Sequence, residues 1–151
     1  NFKLPPTLGL RYLEPQDIFL LVQWEKEERP YPWTVEHFEN TLKTAHQKTL
    51  IWEEHNRLQG FTVIQIINEE AYLLNIMSDP RRRGGGLGRK LMEKGLAWAK
   101  LNGAEKFFLD VDPLNVPALK LYQSLGFQVI EKRKSGYPHG EDAYLMTKEL
   151  L

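Results

Sequence analysis

Between residues 49 and 77, three runs rich in β-branched and aromatic residues follow one another with only a short polar break between each pair. The runs are Thr49 to Glu54 (TLIWEE), Leu58 to Ile67 (LQGFTVIQII) and Ala71 to Met77 (AYLLNIM). The breaks, His55-Asn56-Arg57 and Asn68-Glu69-Glu70, suit tight connections, and the segment reads as a three-stranded antiparallel meander.

Around it, strand and helix patterns alternate. Gly9 to Leu13 is a short strand, and the stretch after Pro15 carries a helical stripe, Ile18, Leu21, Val22 and Glu25, that stops before Pro30. Thr34 caps a second helix, with Glu36 in its first turn and Phe38 and Leu42 one turn apart. A longer helix is expected from Leu87 to Leu101, its apolar face formed by Leu87, Leu91 and Trp98 with Met92 beside them, closed by Asn102-Gly103. Phe107 to Val111 (FFLDV) reads as an interior strand, and Val116 to Leu125 as a helix with Ala118, Leu121, Tyr122 and Leu125 on one face. Phe127 to Lys134 and Ala143 to Lys148 are two further strands, joined by SGYPHGED. This order predicts a mixed α/β sheet with helices on both faces, in a single domain spanning 1–151.

Twenty basic residues balance twenty acidic ones, so no net charge draws the chain to nucleic acid or membrane, and any anion site must be local. The absence of cysteine removes disulfides, thiolate metal sites and cysteine nucleophiles. Prolines interrupt the amino end, NFKLPPTLGL, where a signal peptide needs a continuous apolar segment, and no run approaches a membrane span; a cytoplasmic location is expected. The four histidines are scattered, which predicts no metal site, and no serine has a Gly-x-Ser-x-Gly context.

Asp79 to Leu91, DPRRRGGGLGRKL, stands where a strand hands over to a helix. There the free N–H groups of a helix start attract an anion, and glycine lets it approach closely. Two nucleotide motifs fail: Gly88 is followed by Arg89-Lys90-Leu91 and not by Lys-Ser/Thr, and the dinucleotide pattern lacks its third glycine. An exposed turn flanked by solvated arginines is the competing reading. Asp110 on its apolar strand reads either as a general base or as a strand-end cap, with Asp112 on the same face. Tyr122, on an apolar helix face, reads by pattern alone as a core tyrosine.

Taken together, RRRGGGLGRKL, FFLDVDPLNVPALKLYQSLGF and GEDAYLM resemble the GNAT superfamily of acetyl-CoA-dependent N-acetyltransferases. Arg83-Gly84-Gly85-Gly86-Leu87-Gly88 fits the superfamily's Arg/Gln-x-x-Gly-x-Gly/Ala signature. The chain looks most like the RimI-type ribosomal-protein-alanine group, on Tyr31-Pro32-Trp33-Thr34, Leu74-Asn75-Ile76, Asn115 with Leu121-Tyr122 and Leu125-Gly126-Phe127, and Tyr137-Pro138 with Gly140-Glu141-Asp142-Ala143.

The resemblance implies the GNAT fold, a central, twisted, mixed but mostly antiparallel sheet of about seven strands. It implies acetyl-CoA as co-substrate, no metal, a protein N-terminus as acceptor, from a ribosomal protein in the RimI case, and a monomer or weak dimer that binds neither nucleic acid nor membrane. Backbone groups of Ile76, Met77 and Ser78 would pair with the pantetheine arm as if it were another strand. Gly84, Gly85, Gly86, Leu87, Gly88 and Arg89 would cradle the pyrophosphate, and Asn115 would hydrogen-bond the cofactor. Asp110 stands where the RimI group carries a glutamate base and is one methylene shorter, which favours a water-mediated transfer; Asp112 or a water are the other base candidates. Tyr122 would protonate the departing thiolate, and an N–H near Met77 would stabilise the oxyanion. Tyr31 and Trp33 on one side, with Tyr137 and Glu141 on the other, are the expected walls of a peptide slot. The competing functions are acetylation of a lysine or small-molecule amine, and a non-catalytic CoA-binding module.

Overall fold

The computed structural model describes residues 2–82, 84–135 and 140–151. Its meander consists of β2 (Gln47–Glu54), β3 (Arg57–Ile67) and β4 (Glu70–Ser78), paired antiparallel. The first turn is tighter than the polar break suggests. His55 and Asn56 both take positive φ, 53° and 60°, which turns the chain in two residues and leaves Arg57 free to pair with Glu54.

Outside β2 lies β1 (Leu10–Tyr12), and between them in sequence run the helices α1 (Ile18–Glu28) and α2 (Val35–Lys43). After the meander come α3 (Leu87–Leu101), β5 (Lys106–Val111), α4 (Val116–Ser124), β6 (Gln128–Arg133) and β7 (Ala143–Glu149). The seven strands are ordered β1-β2-β3-β4-β5-β7-β6, and every pairing is antiparallel except β4 with β5. The expected mixed sheet and element order are therefore those observed.

Two cores sandwich the sheet. Along β2 and β3, Leu50, Trp52, Ile64 and Ile66 turn toward α3, meeting Leu91, Met92, Leu96 and Trp98, while Ile51, Phe61 and Val63 turn the other way onto Leu21, Trp24 and Phe38. Gly60 marks the closest approach on the first face: a Cβ there would lie 2.9 Å from Leu91 Cδ2 and 2.8 Å from the Met77 carbonyl oxygen. No helix among the described residues is long and apolar enough to cross a membrane.

Two helix faces differ from expectation. Leu42 is 42% exposed, and Thr41 takes the inward position, its hydroxyl 2.8 Å from both the Phe38 carbonyl and Thr49 Oγ1. A threonine whose hydroxyl is satisfied in this way is buried as readily as an apolar residue. On α4, of the four residues of the expected stripe only Tyr122 is buried, and the helix ends at Ser124.

Arg11 on β1 fastens the start of α1. Its guanidinium forks onto Asp17 at 2.8 and 2.9 Å and also meets Glu53, while the Glu14 amide donates to Asp17 at 2.8 Å. Burial alone would raise the Asp17 carboxyl, but the hydrogen bonds from Arg11 and Glu14 outweigh it and hold it below the usual carboxylate value. A carboxyl lowered by folding contributes stability above its unfolded pKa and loses it as pH falls through the folded one. Asp17→Asn is therefore expected to cost about 2 kcal/mol at pH 7. The gap from the unsubstituted protein should close progressively below about pH 4, as measured by urea unfolding across that range.

Candidate active site at the parting of β4 and β5

The parallel pair β4–β5 is short. Glu70, Ala71 and Tyr72 pair with Lys106, Phe107 and Phe108, and there the ladder stops. The cause lies one strand away: Val63 opposes Asn75 and Ile64 opposes Leu73, so Leu74 is an extra residue in β4, a β-bulge that bends the strand away. From Leu73 onward the two strands splay, and α4 and the start of α3 wall the gap. The resulting cleft has a volume of about 690 Å³.

Seven of the expected site residues line it. Ile76, Met77 and Ser78 come from the splayed half of β4, Gly88 from the first turn of α3, Asp110 from β5, and Asn115 and Tyr122 from α4. Asp110 accepts a hydrogen bond from the Tyr72 hydroxyl, and its other oxygen lies 4.0 Å from Arg133 Nη1. Tyr122 is only 7% exposed, and burial raises its phenol above the usual value, with the nearby Arg29 charge pulling partly the other way. It is thus a core tyrosine that also faces the cleft. Asn115 caps α4 by accepting from the Ala118 amide at 3.3 Å. Asp112 sits past the end of β5, where it is exposed at the cleft rim and accepts from the Leu114 amide at 2.9 Å. The strand has ended, so it does not continue the Asp110 face.

Other expected residues stand apart from the cleft wall. Gly84, Gly85 and Gly86 form the open turn before the fifteen-residue α3; among the described residues, nothing beyond the adjoining residues of the chain lies within 4 Å of a Cβ built on any of them, and Gly86 adopts φ 74° as the N-cap. Only glycine takes that conformation without cost, and it leaves the first amides of α3 uncovered for an anion. Leu87 opens the helix, and the Arg89 guanidinium reaches sideways to the Ser124 hydroxyl. Tyr31 is 54% exposed, and Trp33 packs against Phe38 with ring centroids 5.1 Å apart. Glu141 is exposed, while Arg83 and Tyr137 lie outside the described residues.

Sequence reasoning missed the cluster that props the bulge open. Glu25, fully buried, accepts from the Trp33 amide at 2.9 Å and from Asn75 Nδ2 at 3.1 Å, and its Oε2 lies 3.1 Å from Arg29 Nε. Arg29 in turn donates to the Ile76 carbonyl, and the Ile76 amide donates to Asn75 Oδ1 at 2.8 Å. One carboxylate thereby joins α1, the loop after it and the bent part of β4. The signal in the sequence was the acid at the fourth place of an otherwise apolar stripe. Among the described residues no group of three or more His, Cys, Asp or Glu side chains is placed to hold a metal ion.

A family model described as the acetyltransferase (GNAT) family matches residues 18–127, from the first residue of α1 to just beyond α4. The chain belongs to the acetyltransferase (GNAT) family. It is similar to the [ribosomal protein bS18]-alanine N-acetyltransferase of Salmonella typhimurium, 31% identical over 129 residues, which is 82% of this chain and 86% of the relative. The crystal structure of the ribosomal-protein-S18-alanine N-acetyltransferase from Escherichia coli superposes with a TM-score of 0.83 at 28% identity, covering 93% of this chain and 92% of that one. Arabidopsis thaliana NAA60 in complex with acetyl-CoA shares the fold, with a TM-score of 0.79 at 18% identity over 93% and 97% of the two chains. This GNAT protein is accordingly an acetyl-CoA-dependent N-acetyltransferase. Its open glycine turn, free helix start and unpaired β4 edge fit that co-substrate.

Removing Glu25 should collapse the bend. Glu25→Ala strands the Arg29 charge and two amide donors, and is expected to lower stability by about 3 kcal/mol by chemical denaturation and to weaken acetyl-CoA binding by calorimetry.

Proposed function

We propose that the protein acetylates the α-amino group of a protein's N-terminal residue, with the N-terminal alanine of a ribosomal protein as the preferred acceptor. The observation that carries this reading is the meeting of Asp110 and Tyr122 in one cleft, a carboxylate able to take a proton and a buried phenol able to give one. The activity for which the bacterial relatives are named supplies the acceptor class.

Acetyl-CoA supplies a thioester whose acyl carbon the amine attacks. Asp110 removes the proton that the incoming α-ammonium must lose, directly or through a water; with an unperturbed pKa of about 7.7 to 8, that ammonium needs only a modest base near neutral pH. Tyr72 and Arg133 hold the Asp110 carboxylate in place. Tyr122 donates its phenolic proton to the leaving sulfur. Its raised pKa keeps the phenol protonated across the neutral and mildly alkaline range. Gly84 to Arg89 bind the pyrophosphate through the helix start, the β4 edge at Ile76 to Ser78 receives the pantetheine arm, and Asn115 contributes a side-chain amide. Tyr31, Trp33, Tyr137 and Glu141 are assigned to the acceptor peptide. The whole of 1–151 acts as one catalytic domain.

Incubation with acetyl-CoA and peptides bearing both a free N-terminus and a lysine, followed by mass spectrometry, tests the reading. Acetate is expected on the α-nitrogen, and label on Nε alone would sink it. Tyr122→Phe should lower kcat at least tenfold with acetyl-CoA affinity little changed, and Asp110→Asn should lower kcat/KM about a hundredfold. Because the phenol is raised, kcat of the unsubstituted enzyme should show no alkaline fall from Tyr122 below pH 10 in a pH–rate profile.

A further inference from the structure

Arg29 is the one cation among the described residues lining the cleft, which Asp110 and Asp112 also line. A guanidinium offers five N–H donors in a rigid plane. Two edges of this one have protein partners, Nε facing Glu25 at 3.1 Å and Nη2 donating to the Ile76 carbonyl. Glu25 is itself clamped by Trp33 and Asn75, so the head group is fixed from behind while the side chain remains 37% exposed toward the cleft. Arg29 and Tyr122, the group assigned to the leaving sulfur, line the same cleft.

We propose that the remaining donors of Arg29 bind the carbonyl oxygen of the acceptor's first residue, making Arg29 the residue that selects an α-amine over a side-chain amine. The inference rests on the N-terminal reading above and names the feature of the acceptor that is recognised. In an N-terminal residue the carbonyl oxygen is three bonds from the amine nitrogen, so a rigid donor that fixes the oxygen also fixes the nitrogen for attack. A lysine ε-amine ends a chain of methylenes and gives such a donor nothing to hold. A site built to hydrogen-bond a substrate group rejects the analogue lacking it, because its own donors are then left unpaired.

The test compares two acceptors: a peptide beginning with alanine, and its counterpart in which the first peptide unit is replaced by a trans-alkene, which removes the oxygen without adding charge. The unsubstituted enzyme should favour the natural peptide at least tenfold in kcat/KM. Arg29→Gln also frees the Ile76 carbonyl and should lower kcat/KM on both peptides, but on the natural peptide about tenfold more, collapsing the ratio toward one. Arg29→Lys should restore part of it. Since Arg29→Gln alone strands the Glu25 carboxylate, the neutral pair E25Q/R29Q is measured beside it and should show the same collapsed ratio. Equal losses on both peptides, or a ratio that survives in both variants, would overturn the inference alone. Acetylation of lysine only by the unsubstituted enzyme would instead overturn the N-terminal reading on which it stands.

Discussion

A parallel strand pair that holds for three residues and then lets go is the feature on which this molecule turns. Had β4 continued straight, its backbone would have closed onto β5 and the sheet would have been seamless, with no cleft. The extra residue Leu74 breaks that register, and the break persists because polar groups freed by the bend are satisfied elsewhere: the Ile76 carbonyl by Arg29, its amide by Asn75. Buried polar groups without such partners would each cost a few kcal/mol, enough to favour the straight strand. The gap is therefore kept open by hydrogen bonds, while the two apolar cores hold the sheet on either side of it.

The same cluster arranges charge. Glu25 has no exposure to solvent, and among the described residues Arg29 is the cation that its carboxylate meets, at 3.1 Å. That fixes a cation at one side of the cleft, with Asp110 and its partners Tyr72 and Arg133 at another. An acid and a base whose environments differ are what a reaction needs when one proton must leave an amine and another must reach a leaving group. Tyr122 keeps its phenolic proton because it is buried, the property that by pattern alone marks it as ordinary core.

Much of this was legible in the sequence where a local pattern and the global fold agree. The meander announced itself through its polar breaks, and α3 through the glycines that bracket it, Gly86 and Gly103, both left-handed in the structure. Asp110 stands out as an acid on an apolar strand, and Gly84 to Gly86 as the turn that hands β4 over to α3. The misreadings have physical causes. Leu42 was preferred to Thr41 for the core because a hydroxyl's partners, here Phe38 and Thr49, cannot be seen from one helix. Asp112 was placed beside Asp110 because nothing in the spacing shows that β5 has already ended. Arg29 and Tyr72 went unnoticed because their roles depend on partners distant in sequence, Ile76 and Asp110, brought near by a bulge that leaves no compositional mark.

The position of β7 has a consequence in time. It is the last strand in the chain, yet it lies inside the sheet, between β5 and β6, with Asp110 opposite Leu145. While the protein is being synthesised, the glycine turn, α3 and α4 all emerge before the strand bearing Asp110 has its second neighbour. An order of this kind, with a late, non-local pairing completing the sheet, delays closure until β7 has been made. A nascent chain can thus hold the glycine turn and the helices beside the cleft well before β7 is there to hold Asp110 still.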